Sequence, residues 1–265
     1  MSLKNQLMKA NYHTHMYLCN HAEGTVEDYV VQAIKLGFNT LGMSDHAPFI
    51  FLQDRSVRMG IEDYPIYLKE LKDSIEKYQD KIKIYKGLEI EYFSYQDKHY
   101  KDLLKDLDYL TLGQHYIEVN QKLKSIYHVT DVSDMTIYVK TLIEAMKTGY
   151  FKFISHPDIF LFNQEEIDIE MLYLSKLIFE AAEKYNVALE INANGIRKGK
   201  IHIHGKTRYR YPRKEFWELA KNYNVKIIIS SDAHKPKYLF DEAIIEAYKF
   251  ATQLGIVVEE ELVID

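Results

Sequence analysis

The sequence predicts an α/β fold of barrel type, and three observations carry that prediction. Short apolar runs alternate with longer amphipathic ones along the chain, seven of each. No Pro- or Gly-rich linker, internal repeat or low-complexity tract interrupts them, which argues for one domain over residues 1–265 with a parallel sheet. The length, 265 residues, is that of a barrel of repeated strand–helix units.

The apolar runs place strands at 10–13, 40–44, 82–90, 109–112, 151–155, 188–191 and 226–230. Helices are expected between them at 26–36, 63–78, 96–106, 135–148, 169–185, 213–223 and 240–254. The first helix carries a start signal, because Thr25 precedes it and Asp28 follows three residues later. Gly37 and Gly149 stand where helix ends would be.

Composition narrows the class. Hydrophobic residues make up 47% of the chain, enough for a sizeable core. The net charge of −5 leaves no overall nucleic-acid footprint. A single cysteine, Cys19, excludes an internal disulfide and fits a reducing compartment. The N-terminal residues lack the apolar core of a signal peptide, and no run approaches ~20 apolar residues. The expectation is a soluble cytoplasmic protein with no membrane partner.

The chemistry centres on residues 11–24, NYHTHMYLCNHAEG, where His13, His15 and His21 lie within nine residues. His13 and His15 flank one residue, so an extended strand sends both side chains off the same face. Two adjacent imidazoles suit a divalent ion of the Zn, Fe or Mn kind. Polar groups then recur at the carboxyl ends of later strands. Asp45-His46 follows the second, and Glu89 and Glu91 close the third. Gln114-His115, Ser155-His156-Pro157, Glu190-Ile191-Asn192 and Ser231-Asp232-Ala233-His234 end the others. Barrel enzymes place catalysis on that rim. Any one of these groups alone reads equally well as a turn, a cap or a buried histidine; the recurrence at one rim points to a metal site. Asp45 points away from His46 on an extended strand and is expected to support a ligand, not to be one. Cys19 is expected to be a bystander thiol.

HxH with a third His, then SDHAP, GLE, GQH, SHPD and SDAH in this order, resembles the polymerase-and-histidinol-phosphatase (PHP) superfamily from about Asn11 to His234. Within it, the HAEGTVEDYVVQAIKLGFNTLGMSDHAPF stretch and the NANGIR segment resemble the free-standing histidinol-phosphate phosphatases. The resemblance implies a distorted TIM-like (β/α)7 barrel with a metal site at the carboxyl ends of its strands. It implies three divalent ions. One would take His13, His15, Glu89 and Asp232; the second Glu89, His115 and His156; the third His21, His46 and His234. Glu89 offers two oxygens and suits a bridge. Glu91 shares its strand face, so the choice of Glu89 follows the family's GLE register. The implied reaction is hydrolysis of L-histidinol phosphate to L-histidinol and phosphate by a metal-activated hydroxide, within histidine biosynthesis. Asp232 or His234 would protonate the leaving alkoxide. The rival readings are another PHP-type phosphoesterase acting on nucleotides or nucleic acid, and a non-catalytic metal-binding protein.

The remaining histidines read differently. His99 and His128 are expected on the exposed surface. His202 and His204 fall in a strongly basic stretch, read as a loop over 197–214. It is solvated, an anion clamp over the metals, or a contact for nucleic-acid phosphates. Arg197 is the preferred phosphate residue, because a guanidinium binds phosphate bidentately and it lies five residues beyond strand-end Asn192. His202 is the next candidate for contact with the small phosphomonoester substrate.

Overall fold

The computed structural model describes residues 8–52, 54–203 and 205–264. His204 of the basic stretch lies outside the described residues. The chain runs β1 (Ala10–Asn11), α1 (Val26–Leu36), β2 (Thr40–Met43), α2 (Tyr64–Tyr78), β3 (Lys83–Ile90), α3 (Asp97–Leu103) and β4 (Tyr109–Leu112). A hairpin of β5 (Tyr116–Val119) and β6 (Lys122–Ser125) precedes α4 (Val132–Thr148), β7 (Phe151–Ile154), α5 (Ile169–Tyr185) and β8 (Ala188–Asn192). A short helix α6 (Ala193–Arg197) and a hairpin of β9 (Lys200–Ile203) and β10 (Lys206–Tyr209) lead to α7 (Lys214–Trp217), β11 (Ile227–Ser230) and α8 (Glu242–Gln253).

Seven strands pair in the order β1-β2-β3-β4-β7-β8-β11, every pair parallel. The two edges approach each other just beyond their last residues. The Ser231 N–H donates to Asn11 Oδ1 at 2.7 Å, and the His15 N–H to the Ala233 carbonyl at 2.9 Å. The result is a nearly closed seven-stranded parallel barrel with its helices outside, the TIM-like fold expected. Each expected strand is one barrel strand. The start signal at Thr25 is a full capping box with Asp28, and Gly37 and Gly149 end their helices at φ 77° and 72°. Among the described residues, no helix is long and apolar enough to cross a membrane.

Three expectations need correction. The two hairpins escaped the periodicity because their strands are four residues each and, apart from Ile117, only exposed or half-buried, so no continuous apolar face marks them. The stretch 197–214, expected as a loop, therefore contains β9 and β10. The helix expected at 213–223 is α7 followed by a 3-10 turn at Glu218–Asn222. His99 is half-buried instead of exposed: its Nε2 lies 3.0 Å from the Pro48 carbonyl and its ring packs against Phe49. His128 is exposed.

The amino end of the barrel is filled from within. Tyr109 lies across the interior and donates from its hydroxyl to the Tyr12 carbonyl at 2.6 Å. Gly42 and Gly87 make room for it: a methyl group on either would come within 2.3 Å of the tyrosine. The C-terminal tail closes the floor below, where Leu262 and Ile264 pack with Tyr12 and the Leu262 N–H donates to the Tyr12 hydroxyl at 2.9 Å. Side chains that must interact with ions or water are thereby left only the opposite rim. Gly87→Ala should overpack this interior and destabilise the fold by about 1–3 kcal/mol. Urea unfolding measures it, and an unchanged midpoint would show that the interior has slack.

Candidate metal centre

The rim assembles from residues that immediately follow the strands. His13 and His15 follow β1, His46 follows β2, Glu89 is the next-to-last residue of β3, and His115 and His156 follow β4 and β7. Asp232 and His234 follow β11, and His21 comes from the connection between β1 and α1. All nine residues expected as ligands converge on one cluster. Glu89 is at its centre. Its Oε1 lies 3.4 Å from His13 Nε2, 3.0 Å from His156 Nε2 and 3.9 Å from His115 Nε2. Its Oε2 lies 3.0 Å from His46 Nδ1 and 3.6 Å from His15 Nε2. Asp232 Oδ1 lies 3.0 Å from His15 Nε2, and the Nε2 atoms of His21 and His234 are 2.9 Å apart.

Local backbone geometry serves this convergence. His156 and Asp232 adopt φ of 36° and 45°, which non-glycine residues enter only where the surroundings hold them. Gly113 leaves the space Glu89 occupies, since a methyl group there would lie 2.0 Å from Glu89 Oε1.

Five of the seven imidazoles are aimed by partners on their far nitrogens, the exceptions being His46, which faces Glu89 through Nδ1, and His156, whose buried Nδ1 makes no hydrogen bond. Glu190 lies 2.8 Å from His13 Nδ1, Asp45 3.4 Å from His15 Nδ1, and Glu91 3.3 Å from His115 Nδ1. Backbone carbonyls do the same for His21, through Cys19 at 3.0 Å, and for His234, through Asp232 at 3.2 Å. An acceptor at Nδ1 keeps a proton there and turns the Nε2 lone pair inward, the arrangement metal-binding histidines use. Sequence reasoning anticipated Asp45 in this role and missed Glu190, although Glu190 also closes a strand.

The donor set fits divalent ions on a structural criterion. His13 Nε2, His15 Nε2 and Asp232 Oδ1 are buried and make no hydrogen bond, yet face one another at 3.0–3.7 Å. Buried polar atoms are normally satisfied, so three that converge without hydrogen bonds mark a point where a cation belongs. His13, His15 and Asp232 form one candidate triad, and His46, Glu89 and His115 another. A third joins His15, His46 and His234, so His46 and His15 stand between groups that the resemblance kept apart. Cys19 neighbours His15 and Asp45, but burial pushes its thiol up and its Sγ donates to the Met16 carbonyl at 3.2 Å.

The charges balance internally. Burial opposes ionisation of Glu89 and Asp232, but the surrounding imidazoles hold both well below the usual carboxylate range. Burial likewise works against charge on His13 and His15. Glu190, Asp232 and Glu89 overcome it at His13, and Asp232 and Asp45 raise His15 to about 9. Burial and the charge on His15 lower His46 well below its ordinary value and His234 to about 3. His46, His234 and the two carboxylates are thus in the neutral and ionised forms that ligate cations, whereas His13 and His15 would release a proton to an entering ion.

A family model for the PHP domain matches residues 11–194. The chain belongs to the PHP-domain family. A Deinococcus radiodurans protein named "probable histidinol-phosphatase" is 26% identical over 231 residues, covering 84% of this chain and 85% of its own. The Bacillus subtilis histidinol-phosphatase is 22% identical over 267 residues, covering 86% and 94%. The crystal structure of the Lactococcus lactis histidinol phosphate phosphatase, complexed with zinc, L-histidinol and phosphate, superposes with a TM-score of 0.72. It covers 96% of both chains at 19% identity, a likeness of fold.

Above the PHP cluster opens a cavity of about 430 Å³. His46, Glu89, His115, Asp232 and His234 line its base; Tyr116, Tyr127, Tyr211, Asn194 and Lys198 line its walls. Arg197 does not reach it. Its guanidinium is held by Asp241, with Nε and Nη2 at 2.7 and 3.1 Å, and by the carbonyls of Ser231 and Tyr238. Asp241 caps α8 at the same time, so this pair ties α6 to α8. His202 is exposed on β9, bonded to Thr207, and does not line the cavity. The side chain that enters is Lys198. Its Nζ donates to the Tyr211 hydroxyl at 3.0 Å and lies over the rings of Tyr127 and Tyr211. Burial lowers its pKa, opposed by Asp232 and Glu89. Gly113→Ala should displace Glu89 and lower the zinc retained after dialysis while circular dichroism stays native. Wild-type zinc retention would show that the Gly113 gap is incidental.

Proposed function

We propose that this chain is a metal-dependent phosphomonoesterase that hydrolyses L-histidinol phosphate to L-histidinol and phosphate. The observation that carries the reading is the convergence of His13, His15 and Asp232, unsatisfied and buried, beside a shared Glu89 at the floor of a cavity sized for a small ligand. Histidinol-phosphatase relatives and the ligands of the Lactococcus structure support the substrate.

His13, His15, His21, His46, Glu89, His115, His156, Asp232 and His234 would hold up to three divalent ions of the Zn, Fe or Mn kind. Such ions supply Lewis acidity to a phosphoryl oxygen and acidify water. The chain's own residues do the rest. Lys198 faces the anion from the wall and offers a point charge to the phosphoryl oxygens in a site walled by aromatic rings. The tyrosines keep water from the leaving group. Asp232 lines the cavity as a carboxylate with two oxygens, of which Oδ1 faces His13 and His15. Of the two candidates it is the one that would accept the proton of the attacking water and return it to the departing alkoxide, which balances the hydrolysis; His234, with Nδ1 on the Asp232 carbonyl and Nε2 toward the ions, has no lone pair for that proton.

Phosphate release from histidinol phosphate and p-nitrophenyl phosphate, beside strand cleavage of a single-stranded oligonucleotide, separates the readings. A strong preference for the first is expected. Preference for the oligonucleotide would favour a nuclease-like enzyme, and activity on none a metal-binding protein. Reconstituted protein should hold about three ions per chain by elemental analysis, with Glu89→Ala losing nearly all activity. A stoichiometry fixed near one would overturn the trinuclear arrangement.

The placement of the two cations makes a further contrast. Lys198→Ala should cost about 10- to 150-fold in kcat/KM, the worth of roughly 1.5–3 kcal/mol for a hydrogen bond to a charged group. Arg197→Ala should instead lower the melting temperature, through loss of the pair with Asp241, and leave KM near wild type. The reverse pattern would return the phosphate contact to Arg197.

A further inference from the structure

Arg58, in the connection between β2 and α2, lines the cavity yet its side chain is only 2% exposed. Nη1 and Nη2 donate to the two oxygens of Glu91 at 3.1 and 2.8 Å, and Nη1 also to the Ala47 carbonyl at 3.1 Å. The backbone on either side of this guanidinium is held by the metal-centre loops. Asn20 Nδ2, next to His21, donates to the Arg58 carbonyl at 3.2 Å, and the Met59 N–H to the His46 carbonyl at 3.4 Å. Glu91 Oε1 reaches His115 Nδ1 at 3.3 Å, and His115 Nε2 faces Glu89.

Burying an Arg–Glu pair brings little net stability, because desolvation offsets most of the attraction. What such a pair specifies is direction. Glu89 and Glu91 lie two residues apart on one strand face, and both could turn to a cation. The bidentate fork takes Glu91 out of that competition and leaves Oε1 to accept the Nδ1 proton of His115.

We infer that Arg58 is a positioning residue of the metal centre: by capturing Glu91 it selects Glu89 as the ligating carboxylate and fixes the ring and tautomer of His115. The inference rests on reading His115 as a metal ligand, and its test has a readout that does not depend on that reading.

The test uses the full chain with Arg58→Met, Arg58→Lys and Glu91→Gln. In metal-free wild type, nitrogen-15 NMR of labelled histidine should show His115 protonated at Nδ1 with its lone pair on Nε2. Arg58→Met should lose this single tautomer. Its zinc affinity and kcat should fall by about 10- to 100-fold, the usual cost of disturbing a ligand's support. KM should stay within about twofold, because no substrate contact is removed. Arg58→Lys should recover part of the loss, since an ammonium keeps the charge without the fork. Two results would overturn the inference: an Nε2-protonated His115 in metal-free wild type, or a folded Arg58→Met with wild-type zinc affinity and kcat. Should Arg58→Met not fold, the wild-type tautomer and Arg58→Lys decide. A wild type that binds no zinc sinks the proposed function, while the tautomer still judges Arg58.

Discussion

A carboxylate buried inside a barrel is tolerable only among groups able to carry positive charge, and Glu89 sets that condition for the whole rim. It is 1% exposed and lies within 3.9 Å of five imidazoles. Around it, β1, β2, β4 and β7 are each followed by a histidine, and Gly113 lacks the side chain that would meet it. The same requirement explains why the backbone is strained at His156 and Asp232. Their positive φ values send the side chains into the cluster, and the cluster's interactions compensate for the conformation.

Charge outside the cluster organises it as strongly as charge within. Glu190, Asp45 and Glu91 take no place at the centre, yet each fixes one imidazole by its Nδ1. Glu190 also accepts from the His156 N–H and from Asn192, whose amide touches Asp232 as well. One buried acid therefore links β1, β7, β8 and β11. Geometry of this kind is rigid because a move by the ring of His13, His15 or His115 breaks a hydrogen bond on its far side.

The two ends of the barrel divide the labour. The amino end is dry, filled by Tyr109, Tyr12 and the C-terminal tail. The carboxyl end gathers the histidines, Lys198 and the tyrosine walls. Lys198 shares the cavity with Asp232 and Glu89, and the aromatic rings beside it lower the local dielectric, which strengthens its attraction to those carboxylates.

The strand–helix order was legible in the sequence because barrel strands are buried on both faces and read as apolar runs, while the helices carry a period of 3.6. The strand-end histidines were legible too, since a side chain at a strand's carboxyl end has one rim to face. The sequence by itself thus determined the barrel and the residues at its rim. It did not determine where neighbouring side chains point off irregular backbone. Arg197 and Lys198 are adjacent at the end of α6, and one helical step of about 100° sends the first to Asp241 and the second into the cavity. Arg58 carries no local pattern at all, because its meaning comes from Glu91, which lies 33 residues away. Those choices were decided only by tertiary structure, where packing across loops distant in sequence fixes which charge is paired and which is left to face a ligand.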